Sequence, residues 1–216
     1  MEDKKTRILV VDDHPIIYQG LKQMITPEDG IEILGNAVDY DECFAKVEEL
    51  HPDMLIIDIG LKSDRNGIDI VKEMKERYPE IHTMVLSMHD EEIYAQRAEN
   101  AGAKGYVNKS EFTEKIKDAI SAILAGETFF SRKGSVDYSQ SKDQKKMSLL
   151  KKLTDREFEI LKMIGMGFKN EEIAEKLDLK EKTIFSHKLR IKNKLKLETS
   201  ADLLRAAVKW FTEKNI

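Results

Sequence analysis

A chain of 216 residues with ordinary apolar content suits one large or two small domains, and no apolar run in it approaches the roughly 18 residues of a membrane span. The single cysteine, Cys43, excludes a disulfide framework and a thiolate metal site, and the charged opening Met1–Thr6 lacks a secretory apolar stretch, so a cytoplasmic protein without membrane contact is expected. The net charge of −4 conceals opposed halves: Met1–Phe130 holds 15 basic and 27 acidic side chains and Ser131–Ile216 holds 21 and 13, a division suggesting two tasks, the second beside a polyanion.

Taken in order, the first half alternates buried-strand and amphipathic-helix patterns. Arg7–Val11 is a short β-branched run ending in Asp12 and Asp13, and His14-Pro15 opens a helix, since proline suits a first helical position. Ile31–Ala37 reads as a second strand, and Asp39 caps a helix with Cys43, Phe44, Val47 and Leu50 on its apolar face. Met54–Ile57 is four large apolar residues ending in Asp58, the pattern of a strand covered on both faces. A helix over Ile68–Tyr78 follows, then Thr83–Ser87 as a fourth strand and a helix around Ile93–Ala98. Gly105–Asn108 is a fifth strand running into Lys109, and Ser110 is expected to cap the last helix, with Phe112, Ile116, Ile120 and Ile123 inward.

Strand and helix alternating five times imply a doubly wound, five-stranded parallel sheet of flavodoxin-like order, 2-1-3-4-5. Ligands of such sheets bind outside the carboxyl ends of the strands. That order gathers Asp12, Asp13, Asp58, Ser87 and Lys109 at one edge. Carboxylates crowded together retain protons unless a cation joins them, and a hard oxygen-rich site suits Mg²⁺. Metal, ammonium and hydroxyl around one carboxylate meet the needs of phosphoryl transfer, with Asp58 as nucleophile forming an acyl phosphate.

On Asp12-Asp13, Asp58, Ser87 and Lys109, residues 1 to about 126 resemble the receiver domain of bacterial response regulators. The resemblance implies that Asp58 accepts a phosphoryl group from a sensor histidine kinase. It implies that Asp12, Asp13, Asp58 and the main-chain carbonyl of Gly60 hold Mg²⁺, that Lys109 contacts the phosphoryl group, and that Ser87 and Tyr106 form a switch pair. His14 and His89 then read as neighbours of the site instead of ligands. The chain departs from the family at Lys62, where a proline is usual, and its loop to Gly67 is one residue longer. A magnesium-dependent phosphohydrolase with its nucleophile after the first strand is a rival reading; the nucleophile here follows the third strand, and no acidic pair follows Lys109.

Residues 127–149 read as a linker, rich in Ser, Lys, Gln and Asp from Ser131 to about Lys146, with Thr128-Phe129-Phe130 able to pack on the first domain. From residue 150 onward the pattern is all helical. Thr154 and Glu157 form a capping box ahead of Phe158, Leu161 and Ile164. Asn170 is expected to cap a second helix with Ile173, Ala174 and Leu177 inward. A third helix, Glu181–Leu195, keeps Ile184, Ile191 and Leu195 in the core, and a fourth carries Leu203, Leu204, Ala207, Val208 and Phe211. Lys180–Lys196 holds seven basic residues and one acidic one. Two helices joined by a tight turn, the second basic, suggest a helix-turn-helix.

The segments Leu153-Thr154-x-Arg156-Glu157, Gly167-x-x-Asn170-x-Glu172-Ile173-Ala174 and Thr183-Ile184-x-x-His187 resemble the LuxR-type DNA-binding domain. The whole chain is similar to the NarL/FixJ family of response regulators. The exposed face of the third helix, with Lys182, Thr183, Phe185, Ser186, Lys188 and Lys192, is expected on the major groove of double-stranded DNA. The function this implies is regulation of transcription by a protein that accepts a phosphoryl group on Asp58 and binds DNA as a homodimer. The chain is not expected to be a turnover enzyme.

Overall fold

The computed structural model describes residues 5–26, 29–61, 65–88, 91–130, 148–150 and 152–211, the side chains of residues 91–93 excepted. By its contacts the chain divides into two compact units, residues 1–133 and 134–216. The segment 131–147, the bulk of the expected linker, lies outside the described residues.

In the first unit short apolar runs form strands because their alternating side chains find cover on both faces. The elements are β1 (Thr6–Val11), α1 (Pro15–Met24), β2 (Ile31–Ala37), α2 (Tyr40–Leu50), β3 (Met54–Ile57) and α3 (Gly67–Arg77), then β4 (His82–Ser87), α4 (Glu91–Ala101), β5 (Gly105–Asn108), α5 (Phe112–Leu124) and β6 (Phe129–Phe130). All adjacent pairs are parallel, in the order β2-β1-β3-β4-β5-β6. The first five strands stand in the expected order. The sheet has six strands, not five, because Phe129 and Phe130 pair with Gly105 and Tyr106 at its edge. Those two residues, expected in the linker, therefore belong to the first unit.

Ile8, Val10, Met54, Ile56, Met84, Leu86 and Val107 pack with Leu21 of α1 and Phe112, Ile116 and Ile120 of α5 in one core cluster. Their alternates Leu9, Val11, Leu55, Ile57, Val85 and Tyr106 are also buried, so the opposite face is covered too. Asp39 caps α2 by accepting from the Glu42 amide, and Pro15 opens α1. Ser110 does not cap α5. It sits in a 3₁₀ turn over Lys109–Glu111, and the Asn108 side chain accepts from its amide at 2.9 Å. Cys43 is buried, and burial pushes its thiol up to about 12. It is a core residue.

The second unit contains α6 (Asp155–Gly165), α7 (Asn170–Lys176), α8 (Glu181–Leu195) and α9 (Ser200–Phe211). Thr154 and Glu157 form the expected box, each accepting from the other's amide. Asn170 is the first residue of α7 instead of its cap. Lys169 takes the cap position, its amide donating to Glu172. Phe158, Leu161, Ile164, Ile173, Leu177, Ile184, Ile191 and Leu195 are buried together with Leu203 and Ala207, whereas Leu204 and Val208 face outward. Among the described residues, no helix is long and apolar enough to cross a membrane.

Candidate functional site

Strand register places the acids. Val11 pairs with Ile57, and Ile57 with Val85, so Asp12 and Asp58 are neighbours just beyond the sheet. Both are fixed through their main chain: the Asp58 amide donates to the Val11 carbonyl at 2.8 Å, and the Asp12 amide to Ala37 at 2.9 Å. Ser87 and Lys109 leave the next two strands on the same edge. Ser87 shares a sheet face with Tyr106, whose strand partner is Val85, and both side chains are fully buried.

The Lys109 ammonium joins the two buried acids, at 2.7 Å from Asp12 Oδ2 and 2.8 Å from Asp58 Oδ2. Burial pushes the Asp58 carboxyl above its usual range, and the nearby Asp12 adds to this against the pull of Lys109. Burial alone would lower Lys109, but Asp58 and Asp12 outweigh it and hold the ammonium above the ordinary lysine value. The Gly60 amide also donates to the Asp58 carboxylate. Asp12, Asp13, His14 and Asp58 offer ligand atoms that all lie within 4.8 Å of one another. His14 Nδ1 is 2.9 Å from Asp13 Oδ1 and 3.0 Å from Asp12 Oδ1, beside the site as its sequence position suggested. Three carboxylates against one ammonium leave an excess of negative charge, and oxygen donors in this number fit a hard divalent cation.

Two features of the β3–α3 loop were not legible in the sequence. A Cβ built on Gly67 would stand 2.0 Å from the Asp58 carbonyl oxygen and 2.9 Å from Ile57, so only glycine lets α3 start so close to the end of β3. The far end of the loop is tied down by Arg65, whose guanidinium is 3.0 Å from Glu73 and 4.3 Å from the centroid of the Tyr40 ring. The Tyr40 hydroxyl donates to Glu73, and burial together with that carboxylate pushes it up to about 12. Residues 62–64, which include the departure at Lys62, lie outside the described residues, as does His89.

In the second unit α7 and α8 are joined by a turn in which Asp178 takes a positive φ of 50°. On α8, Phe185 and Leu189 are 56% and 57% exposed, one turn apart. Three lysines of this helix have partners inside the unit. Lys188 Nζ donates to Asn170 Oδ1 at 2.9 Å, Lys192 Nζ to the Glu198 carbonyl at 3.1 Å and Lys194 Nζ to Glu157 Oε2 at 2.6 Å. Thr183 is half-buried, while Lys182 and Ser186 are exposed. The Ser186 hydroxyl donates to the Lys182 carbonyl at 3.1 Å.

Fold and site together define a class: an α/β unit carrying an acid–hydroxyl–ammonium cluster at its strand ends, joined to a helix-turn-helix unit. Residues 8–121 match the response regulator receiver domain, and residues 151–207 match the luxR family of bacterial regulatory proteins. The oxygen regulatory protein NreC of Staphylococcus haemolyticus (strain JCSC1435) is 32% identical over 210 residues, which span 94% of this chain and 97% of that protein. NreC of Staphylococcus epidermidis (strain ATCC 12228 / FDA PCI 1200) is 32% identical over 211 residues, with the same coverage. Among solved structures, an RcsB response regulator of Salmonella typhimurium shares the fold at TM-score 0.67 and 24% identity, covering 99% of this chain and 100% of its own. RcsB from Salmonella enterica serovar Typhimurium, bound to promoter P1flhDC in the presence of the phosphomimetic BeF3-, matches at TM-score 0.61 and 26% identity, over 94% of this chain and 98% of that one. The chain belongs to the response regulators that join a receiver domain to a LuxR-type DNA-binding domain.

Proposed function

We propose that Asp58 is the phosphoacceptor of this regulator and that its phosphorylation by a sensor histidine kinase controls dimerisation and DNA binding. The observation that carries this reading is the Lys109 ammonium 2.8 Å from Asp58 Oδ2, in a pocket whose other acids lie within ligand distance of one another. An Asp58 oxygen attacks the phosphorus of the kinase phosphohistidine, the P–N bond breaks and the imidazole leaves with a proton. Lys109 remains beside the new acyl phosphate and offsets its charge. Asp12, Asp13, Asp58 and the Gly60 carbonyl would hold Mg²⁺, which when bound neutralises phosphoryl oxygens. The Ser87 hydroxyl donates to a phosphoryl oxygen, and Tyr106, on the same sheet face, follows its movement. The covalent label is the output, so the chain does not turn over an external substrate and loses the phosphoryl group by hydrolysis.

Phosphorylation then shifts a two-state receiver toward the form that pairs, which sets two copies of α8 on two half-sites. Lys182, Thr183, Phe185, Ser186, Lys188 and Lys192 lie on or beside the surface that meets the duplex, and Lys188 and Lys192 exchange their internal partners for phosphates there. Support comes from the basic charge of α8 and from the likeness to the promoter-bound RcsB. The deciding experiment treats the protein and its Asp58→Asn variant with acetyl phosphate and Mg²⁺, maps the modified residue by mass spectrometry and measures size by light scattering. The parent is expected to gain one phosphoryl group at Asp58 and to dimerise. The variant stays folded and does neither. A variant that responds like the parent removes Asp58 as the input.

A further inference from the structure

The cations of α8 that could read guanine stand at the margins of its exposed face or have partners inside the unit. The commonest specific contact to guanine is a bidentate arginine or lysine; Lys188, Lys192 and Lys194 have partners inside the unit, Lys182 and Arg190 are exposed at the N-terminal end and on the flank of the face, and the Ser186 proton is committed to the Lys182 carbonyl. What the face presents at its middle is apolar: Phe185 and Leu189, each more than half exposed and stacked one turn apart on a helix whose opposite side is fully buried at Ile184 and Ile191. A helix that keeps two large apolar side chains in water, within a stretch of seven basic residues and one acidic one, has a surface matched to a polyanion with apolar groups on it. In the major groove of DNA only one base edge carries such a group, the C5-methyl of thymine.

We propose that Phe185 and Leu189 read thymine methyl groups, so that the half-site of this regulator is defined by thymines facing α8 instead of by guanines. The inference rests on the reading that α8 enters the major groove. Lys182 and Asn193, polar residues on the same face, border the apolar pair. The phosphate backbone supplies most of the affinity, and the methyl contacts choose the sequence.

The test selects the tightest binders of the full-length chain, with acetyl phosphate and Mg²⁺, from a pool of random 25-base-pair duplexes. Each thymine of the selected duplex is then replaced by deoxyuridine, which differs only by the missing methyl. The expected result is thymine at two or more positions per half-site, with binding weakened about fourfold per methyl removed, the equivalent of taking one buried methyl group away. Phe185→Ala and Leu189→Ala, both at exposed positions, should each bind thymine and deoxyuridine duplexes alike at the position they had read. Parent binding indifferent to deoxyuridine, or a selected site defined by guanines and unaffected by either variant, overturns the inference while leaving α8 as the DNA reader. If the pool yields no preferred sequence and binding does not weaken with salt, the reading of α8 fails and the inference goes with it. If either variant alters self-association of the free protein while thymine discrimination stays intact, the pair serves protein contact, and the inference is overturned.

Discussion

Lys109 is the residue on which the receiver site balances, because one ammonium compensates two buried carboxylates at once. Replacing it with methionine keeps the length and removes the charge, leaving Asp12 and Asp58 facing each other away from water. Breaking a buried pair from one side costs about 3–5 kcal/mol. Urea denaturation of Lys109→Met at pH 7 is expected to show a loss of that order, with partial recovery when Asp12→Asn is added. Gly67 is a second single-residue constraint, of a steric kind. Gly67→Ala drives a Cβ into the Asp58 carbonyl, and overpacking of this sort costs about 1–3 kcal/mol or more. Amide hydrogen exchange should rise across β3 and α3 in this variant and stay unchanged in α6 to α9. The two residues were unequally legible in the sequence. Lys109 stood out as a charge following a buried strand, whereas the demand on Gly67 depends on a close approach between main-chain segments that no local pattern encodes.

Elements are tied together by interactions of short and long range in sequence, and the distinction decides which could be read in advance. The capping box of α6 joins Thr154 and Glu157, three residues apart, so the pattern itself announced it. The tie from Glu157 to Lys194 spans 37 residues and links α6 to α8, and nothing near either residue signalled it. Likewise Asn108 displaced Ser110 as the local cap, and two-residue β6 is too short to carry a period. Burial would raise the Glu157 carboxyl, but Lys194 and the Thr154 amide outweigh it and hold the group below its usual 4.5. A carboxyl held low in the folded state stabilises above its unfolded value, and that contribution fades as pH falls through the folded value. Glu157→Gln keeps an acceptor for the Thr154 amide and loses the ion pair to Lys194, so it is expected to cost the second unit about 1 kcal/mol at pH 7 and almost nothing once Glu157 is protonated in the parent at acid pH. Urea midpoints for parent and variant at the two pH values check the sign.

At the scale of the whole molecule, acidic and basic halves have separate electrostatic work. The receiver concentrates negative charge at Asp12, Asp13 and Asp58, where the proposed phosphorylation would bring a cation and a phosphoryl group together, and the helix-turn-helix unit carries the opposite sign. Binding to a duplex should weaken linearly on a log–log plot against salt, with a slope of roughly −0.9 for each phosphate contacted. Lys182→Ala is expected to make that slope shallower by about one, and titration by fluorescence anisotropy at several salt concentrations measures it. Composition changes sharply near Ser131, and the contacts divide the chain close to that point. The extra strand Phe129–Phe130 was not readable, since it joins the sheet through pairing with Gly105 and Tyr106 and not through any pattern of its own.

The hydrogen bond from the Asp58 amide to Val11 has a consequence for how this scaffold tolerates change. The two acids are indexed to the backbone ladder, not to the loops around them, although 46 positions separate them along the chain. Insertions or deletions in the connections between β1 and β3 leave that index untouched, so such segments are open to exchange with those of other regulators. A single deletion inside Leu55–Ile57 shifts the count by one and turns the Asp58 carboxylate toward the wrong side of the sheet. Grafts of new specificity onto this protein should therefore splice in the loops and keep both short strands whole.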